Sequence, residues 1–156
     1  MADLKDVVSE FETIANLGTN DIQSFKYGNE FELNEARTKT KPLLLFHKQR
    51  AFTYQIFEKK NKDYTITIGL YDQYNAAEKS TTDFVTKQLY MEDLMEKLIR
   101  TFRSRYLADA SNKTWYMLSN AGDSVSGELI EVIGVDKLIG VTATFVVRVF
   151  TDCDTL

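Results

Sequence analysis

Side chains able to carry out acid–base, nucleophilic or metal chemistry are sparse in this 156-residue chain. The one histidine, His47, stands between Phe46 and Lys48, and the one cysteine, Cys153, lies three residues before the end. With a single imidazole, neither a Ser-His-Asp relay nor a histidine metal cluster can be assembled. His47 therefore reads as a structural or surface residue. A lone cysteine has no intrachain disulfide partner, so Cys153 points to a reducing compartment. Carboxylates pair at Glu92–Asp93 and at Asp152–Asp154, but adjacent acids on a helix diverge and acids near a terminus are usually solvated. Gly122, Gly127, Gly134 and Gly140 occur singly, with no following Lys-Ser/Thr and no dinucleotide fingerprint, so they read as turn glycines. The expectation is a protein that is not an enzyme and that holds neither cofactor nor metal. A deep pocket with convergent polar groups near His47, Asp72 or Asp136 is the arrangement that would reopen the question.

Two other groups of residues have binding chemistry. Lys97, Arg100, Arg103 and Arg105 form a basic run. It fits the negative end of a helix dipole, and it equally fits a patch facing a phosphate or a partner. Phe25, Tyr27, Phe31 and Tyr74 are aromatics in polar segments, suited either to staple the core or to anchor a contact.

These residues need a scaffold, and the strongest signals in the chain are for one. From Asp63 to Asp72, Tyr64, Ile66, Ile68 and Leu70 share one face of an alternating strand. From Ile139 to Asp152, Val141, Ala143, Phe145, Val147 and Val149 form one face, with Thr142, Thr144, Val146, Arg148 and Phe150 on the other. Both faces of that second strand are largely uncharged, so it needs cover on both sides, from its own domain or from a neighbouring subunit. Asp3 to Asn16 predicts an amphipathic helix with Leu4, Val7, Val8, Phe11, Ile14 and Ala15 inward and its acids outward, stopped near Gly18. Ile22 to Leu33 predicts an extended segment broken at Gly28, and Pro42 leads into a short buried strand, LLLF. AFTYQIFEK predicts a strand joined by KKNKD in an antiparallel hairpin. Ser80 to Asp83 can cap a long helix to about Arg105, with Phe84, Met91, Met95, Leu98 and Phe102 inward and Val85, Leu94 and Ile99 widening the stripe. TWYMLS predicts a strand, and Glu128 to Val135 a second hairpin with the last strand. The fold class expected is α+β: a mainly antiparallel sheet of about five to seven strands covered by two helices, forming one domain over residues 1–156.

Charge bounds the partners. Net charge is −4, which argues against general nucleic-acid affinity. Residues 1–40 carry four Lys/Arg against eight Asp/Glu, residues 41–106 twelve against eight, and residues 107–156 three against seven. Such an acidic–basic–acidic sequence fits ordinary solvated charge, or complementary faces meeting between copies packed head to tail. The opening MADLKDVVSEFE carries acids where an export signal carries bases, and no run of about 18 apolar residues exists. The expectation is synthesis in the cytoplasm with no membrane contact.

Several segments carry a family resemblance. IQSFKYGNEFELN, the strand after Pro42, TITIGLYDQ, the helix in EKSTTDFVTKQLYMEDLMEKLIRTF and the ending LIGVTATFVVRVFTDC resemble small virion proteins of crAss-like and related phages of Bacteroidetes bacteria. The matching positions are the aromatic-Gly turn Phe25 to Gly28, Lys41-Pro42-Leu43, Leu70 to Asp72, Asp136 to Gly140, and Cys153. Lys41 stands where that family has tyrosine, so one packing contact differs. The resemblance implies a fold similar to tail-terminator and tail-completion proteins, and a non-enzymatic virion subunit forming a ring in the neck or tail around the DNA channel. Its implied partners are itself as a closed ring of six or twelve copies, adjacent portal, neck or tail rings, and passively the packaged DNA. The alternative is a small cytosolic protein-binding module or regulator, gripping a partner through exposed aromatics and a strand edge.

Residues expected at the subunit interface are Phe25, Tyr27, Phe31, Arg37, Lys39, Lys41 and Tyr74, with Lys97, Arg100, Arg103 and Arg105 as a basic patch facing a partner or DNA. The polar segments NEARTKTKP and DQYNAAEKSTTD are candidate arms to a neighbour. Deleting residues 37–41 is expected to leave the monomer folded and to block assembly. Sedimentation of the deletion variant checks this, and unchanged assembly removes the segment from the interface.

Overall fold

Alternating β-branched and aromatic residues build the two longest strands, and these lie side by side at the centre of the sheet. The computed structural model describes residues 4–18, 21–29, 42–48, 50–55, 61–73, 81–108, 115–118, 125–132 and 138–150. Its elements in chain order are α1 (Leu4–Ala15), β1 (Ser24–Gly28), β2 (Leu43–His47), β3 (Ala51–Gln55), β4 (Asn61–Gln73), α2 (Thr81–Ala108), β5 (Trp115–Leu118), β6 (Ser126–Val132) and β7 (Leu138–Phe150). β4 and β7 pair antiparallel over all thirteen residues, from Asn61 opposite Phe150 to Gln73 opposite Leu138.

Every other strand hangs from this ladder. On the outer side of β4, β2 pairs antiparallel with the Ile68–Tyr71 stretch and β3 with the Asn61–Thr65 stretch. On the outer side of β7, β6 takes Leu138–Thr144 and β5 takes Val146–Val149. β1 completes the sheet by pairing parallel to β2. The result is α+β, a seven-stranded and mainly antiparallel sheet with two helices, as the sequence predicts. Both predicted hairpins form, β3–β4 and β6–β7, but Asn61, Lys62 and Asp63 of the KKNKD stretch assigned to the first turn belong to β4. The parallel β1–β2 pair was not foreseen, since strand pattern alone does not specify direction.

Both helices pack on one sheet face. On that face Ile66, Ile68 and Leu70 of β4 lie directly opposite Phe145, Ala143 and Val141 of β7, and all six are buried. α1 contributes Leu4, Val7, Phe11 and Ile14, and α2 contributes Met91, Leu94, Met95, Leu98 and Phe102. Aromatic rings tie the layers together. Phe11 of α1 stacks on Phe102 of α2 at 4.3 Å between centroids, and Phe102 stacks on Trp115 of β5 at 4.6 Å. Phe46 of β2 and Phe145 of β7 close on Phe11 at 5.7 and 6.1 Å. Offset ring pairs add to the free energy of burial itself.

Two expectations from the helices change. Glu10, expected among the outward acids of α1, is buried and accepts a hydrogen bond from Arg105 Nε of α2, which compensates the carboxylate as it leaves water. Val85, expected to widen the core stripe of α2, is exposed, while its neighbour Phe84 packs against the core, so the helical phase turns Val85 away from it. Gly18 follows α1 in the left-handed conformation, φ 69°, and ends the helix as predicted.

The opposite face of the sheet carries a second, smaller cluster, Leu43, Leu45, Tyr71 and Leu138. Tyr71 lies directly across from Gly140, with Gly69 two residues before it on β4. A Cβ at Gly140 would meet the ring at 2.6 Å, and one at Gly69 would meet it at 2.5 Å. The two glycines thus leave room for the tyrosine to lie flat on the sheet. Gly140→Ala is expected to lower unfolding free energy by roughly 1–3 kcal/mol, the usual cost of overpacking a core. Phe11→Ala is expected to cost more, about 3–5 kcal/mol, by emptying the aromatic stack. Chemical denaturation of each variant checks the order.

Candidate functional site

α2 runs alongside β7 in the same direction. Lys87 near its start binds Asp72, which pairs with Ile139 at the head of β7, and Tyr106 near its end meets Trp115, which pairs with Val149. β6 lies beyond β7, so the outer flank of α2 and the helix-side surface of β6 enclose a groove of about 550 Å³. Its floor is apolar, made by Met95, Ile99, Val125, Leu129, Val141 and Ala143. Its rim is charged, with Glu92, Glu96, Arg100 and Arg103 on the helix. Arg100 binds Glu96 one turn earlier at 2.6 Å, and both side chains are mostly exposed. β6 pairs with no other strand than β7 among the described residues.

A second surface lies on the sheet face opposite the helices. Toward the Leu138 end this face is buried, through the Tyr71 cluster and Thr142. Further along it opens. Thr67 and Thr144 share a hydrogen bond across the ladder at 2.9 Å, Thr65 and Thr144 are exposed, and Val146 is half-buried. Ala51 and Thr53 of β3 continue this exposed strip beside Thr65 and Asp63. At its far end Arg148 donates two hydrogen bonds to the Asp63 carboxylate, Nε to Oδ1 at 2.6 Å and Nη2 to Oδ2 at 2.8 Å. This bidentate pair spans directly opposed residues of β4 and β7.

The residues marked in the sequence fall into different places. Phe25 packs against the main core, half-buried. Tyr27 is exposed, its ring stacked on Phe46 and its hydroxyl accepting a hydrogen bond from Arg50 Nη1 at 2.9 Å. Phe31, Arg37, Lys39, Lys41 and Tyr74 lie outside the described residues, as do Asp136, Asp152, Cys153 and Asp154. The basic run divides: Arg100 and Arg103 line the groove, Arg105 turns inward to Glu10, and Lys97 is exposed. The helical period accounts for this division, because residues 100, 103 and 105 cannot share one narrow stripe. His47 ends β2 opposite Gly28, half-buried. Asp72 is held by Lys87 at 2.6 Å and accepts the Gln73 N–H on its other oxygen at 2.8 Å.

The groove was missed in the sequence, although Leu89, Glu92, Glu96, Ile99 and Arg103 recur at helical spacing on one flank. Their mixed polarity concealed them, since a stripe of alternating acids, bases and single apolar residues reads as a solvated face. Among the described residues no three or more His, Cys, Asp or Glu side chains are grouped to hold a metal ion. No described helix is long and apolar enough to cross a membrane. No protein-family model matches the chain, and no curated protein matches its sequence.

One ionisable group on α2 departs from its ordinary behaviour. Burial first, then the Asp21 and Asp72 carboxylates, hold the Tyr90 phenol above its usual pKa of 10.0, and a hydrogen bond with Asp21 adds to this. A folded-state pKa above the unfolded one stabilises the fold fully below pH 10 and ceases to do so as pH rises through the folded value. Tyr90→Phe is therefore expected to flatten the loss of stability above about pH 10. Denaturation midpoints of the two proteins measured between neutral and strongly alkaline pH check this, and parallel curves would contradict it.

Proposed function

We propose that this chain is a non-enzymatic structural subunit, one copy of a closed ring at the neck or tail of a phage virion, around the channel for DNA. The observation that carries the proposal is the open half of the second sheet face. Both helices cover the other face, while Thr65, Thr144, Ala51 and Thr53 expose an uncharged strip of small residues with Val146 among them. Burying small uncharged residues against a neighbour carries little desolvation penalty, and the layer rule favours a covered sheet face.

Contact between this strip and a different surface of the next copy is heterologous, and a heterologous contact closes into a ring when its rotation permits. The acidic–basic–acidic charge order along the chain supports such head-to-tail packing by fixing orientation. A net charge of −4 suits a wall that DNA passes without adhering. On this reading the partners are six or twelve copies of the chain and the portal, neck or tail rings stacked against them.

Native mass spectrometry across a concentration series, with negative-stain imaging of the largest species, tests the proposal. A closed species of six or twelve copies is expected. Thr144→Arg, in the middle of the strip, is expected to remove that species while lowering the stability of the folded subunit by only about 1 kcal/mol, through loss of the Thr67 hydrogen bond. An assembly indifferent to Thr144→Arg would exclude this face as the ring contact.

A further inference from the structure

The groove between α2 and β6 is complementary to itself, and we infer that it binds the same groove of a second copy about a two-fold axis. The contact is separate from the sheet face invoked for the ring and stands or falls without it. Groove-lining residues on α2 run from Glu92 to Arg103, and on the strand wall from Val125 to Leu129. The centre of the groove is therefore Gly127 on the strand and the Lys97–Leu98 position on the helix.

A two-fold axis through that centre, perpendicular to the sheet, pairs the outer edges of two β6 strands antiparallel, extending the sheet into the second copy. In this register Gly127 meets its own equivalent, where a missing side chain allows close approach. Val125 faces Leu129 of the other copy, and Ser126 faces Glu128. A shift that centred the pair on Glu128 would set two like charges directly opposite, so the self-pairing is confined in register.

The helices above complete the match. Three strand spacings separate β7 of one copy from β7 of the other, so the two α2 axes run antiparallel about 14 Å apart. A helix with its side chains is about 10–12 Å across, which leaves long side chains in reach of each other. The same axis sets Glu92 against Arg103, Glu96 against Arg100, and Leu89 against Leu107. Glu96 and Arg100 already bind each other within one copy, so the axis closes four alternating charges into one network. Leu89 and Leu107 are 54% and 64% exposed, and Leu129 is 39% exposed. Each acquires an apolar partner in the pair. This sequence of acid, acid, base, base along one flank is what two antiparallel identical helices require, and the charges that ordinarily keep an edge strand apart here select the second copy.

The experiment uses two charge reversals, Glu92→Arg and Arg103→Glu, with sedimentation velocity and native mass spectrometry. Each single variant is expected to keep its fold by circular dichroism, to weaken association roughly 10- to 100-fold, and to halve the subunit number of the native species. An equal mixture of the two variants restores both pairs, because one copy then supplies only arginines and the other only glutamates. The expected product is a species with one copy of each variant per two-fold contact, identified by mass. A wild-type protein that stays monomeric at every concentration overturns the inference. So does a single variant with unchanged mass, or a mixture that fails to associate.

Discussion

The fold depends on the pairing of β4 with β7. Thirteen residues on each side are joined without a break, and neither strand meets the other through a turn. Because this ladder is longer than any neighbouring strand, each of its outer sides is shared by two short strands, β2 and β3 on one and β6 and β5 on the other. The residue alternation of the pair then decides what each layer must be. One face is apolar along its middle, from Tyr64 to Leu70 and from Val141 to Val147, and draws both helices onto it. The other grades from the Tyr71 cluster through threonines to the Asp63–Arg148 ion pair.

That gradient was partly legible in the sequence. The period of two in both long strands fixed which residues share a face, and the structure agrees: Ile66, Ile68 and Leu70 stand with Val141, Ala143 and Phe145. Helix α1, its stop at Gly18 and the two hairpins were readable for the same reason, since each depends on residues close in sequence. Pairings between distant segments were not readable. Nothing in the spacing of hydrophobic residues announces that β1 runs parallel to β2, or that Tyr71 rests on Gly69 and Gly140. Gly140 read as a turn glycine because it stands alone with no motif around it, whereas its role is to accept a ring from the adjacent strand.

The candidate site was less legible than the fold. A basic run on a helix is one-dimensional information, and the helix distributes it over three directions, one of them toward Glu10 and the interior. The groove instead emerges from the sheet being wider than its helical cover. α2 sits against β7, and β6 extends one strand further with Leu129 partly open. A groove of this origin belongs to layer geometry, so its lining mixes apolar floor residues with rim charges drawn from different parts of the sequence.

The central ladder has a kinetic consequence as well. Thr67 and Thr144 are hydrogen-bonded across 77 positions of sequence, and every other pair in the register joins residues that are likewise far apart in the chain. Contacts so distant must be closed at the expense of chain entropy before they stabilise anything, which slows folding. During synthesis β4 exists with one whole side unsatisfied until β7 has been made, and its apolar residues are exposed through that interval. Crowded nascent chains of this protein can meet one another along that same strand before each finds its own partner, so the most persistent pairing in the native fold is also the step at which its assembly is most open to error.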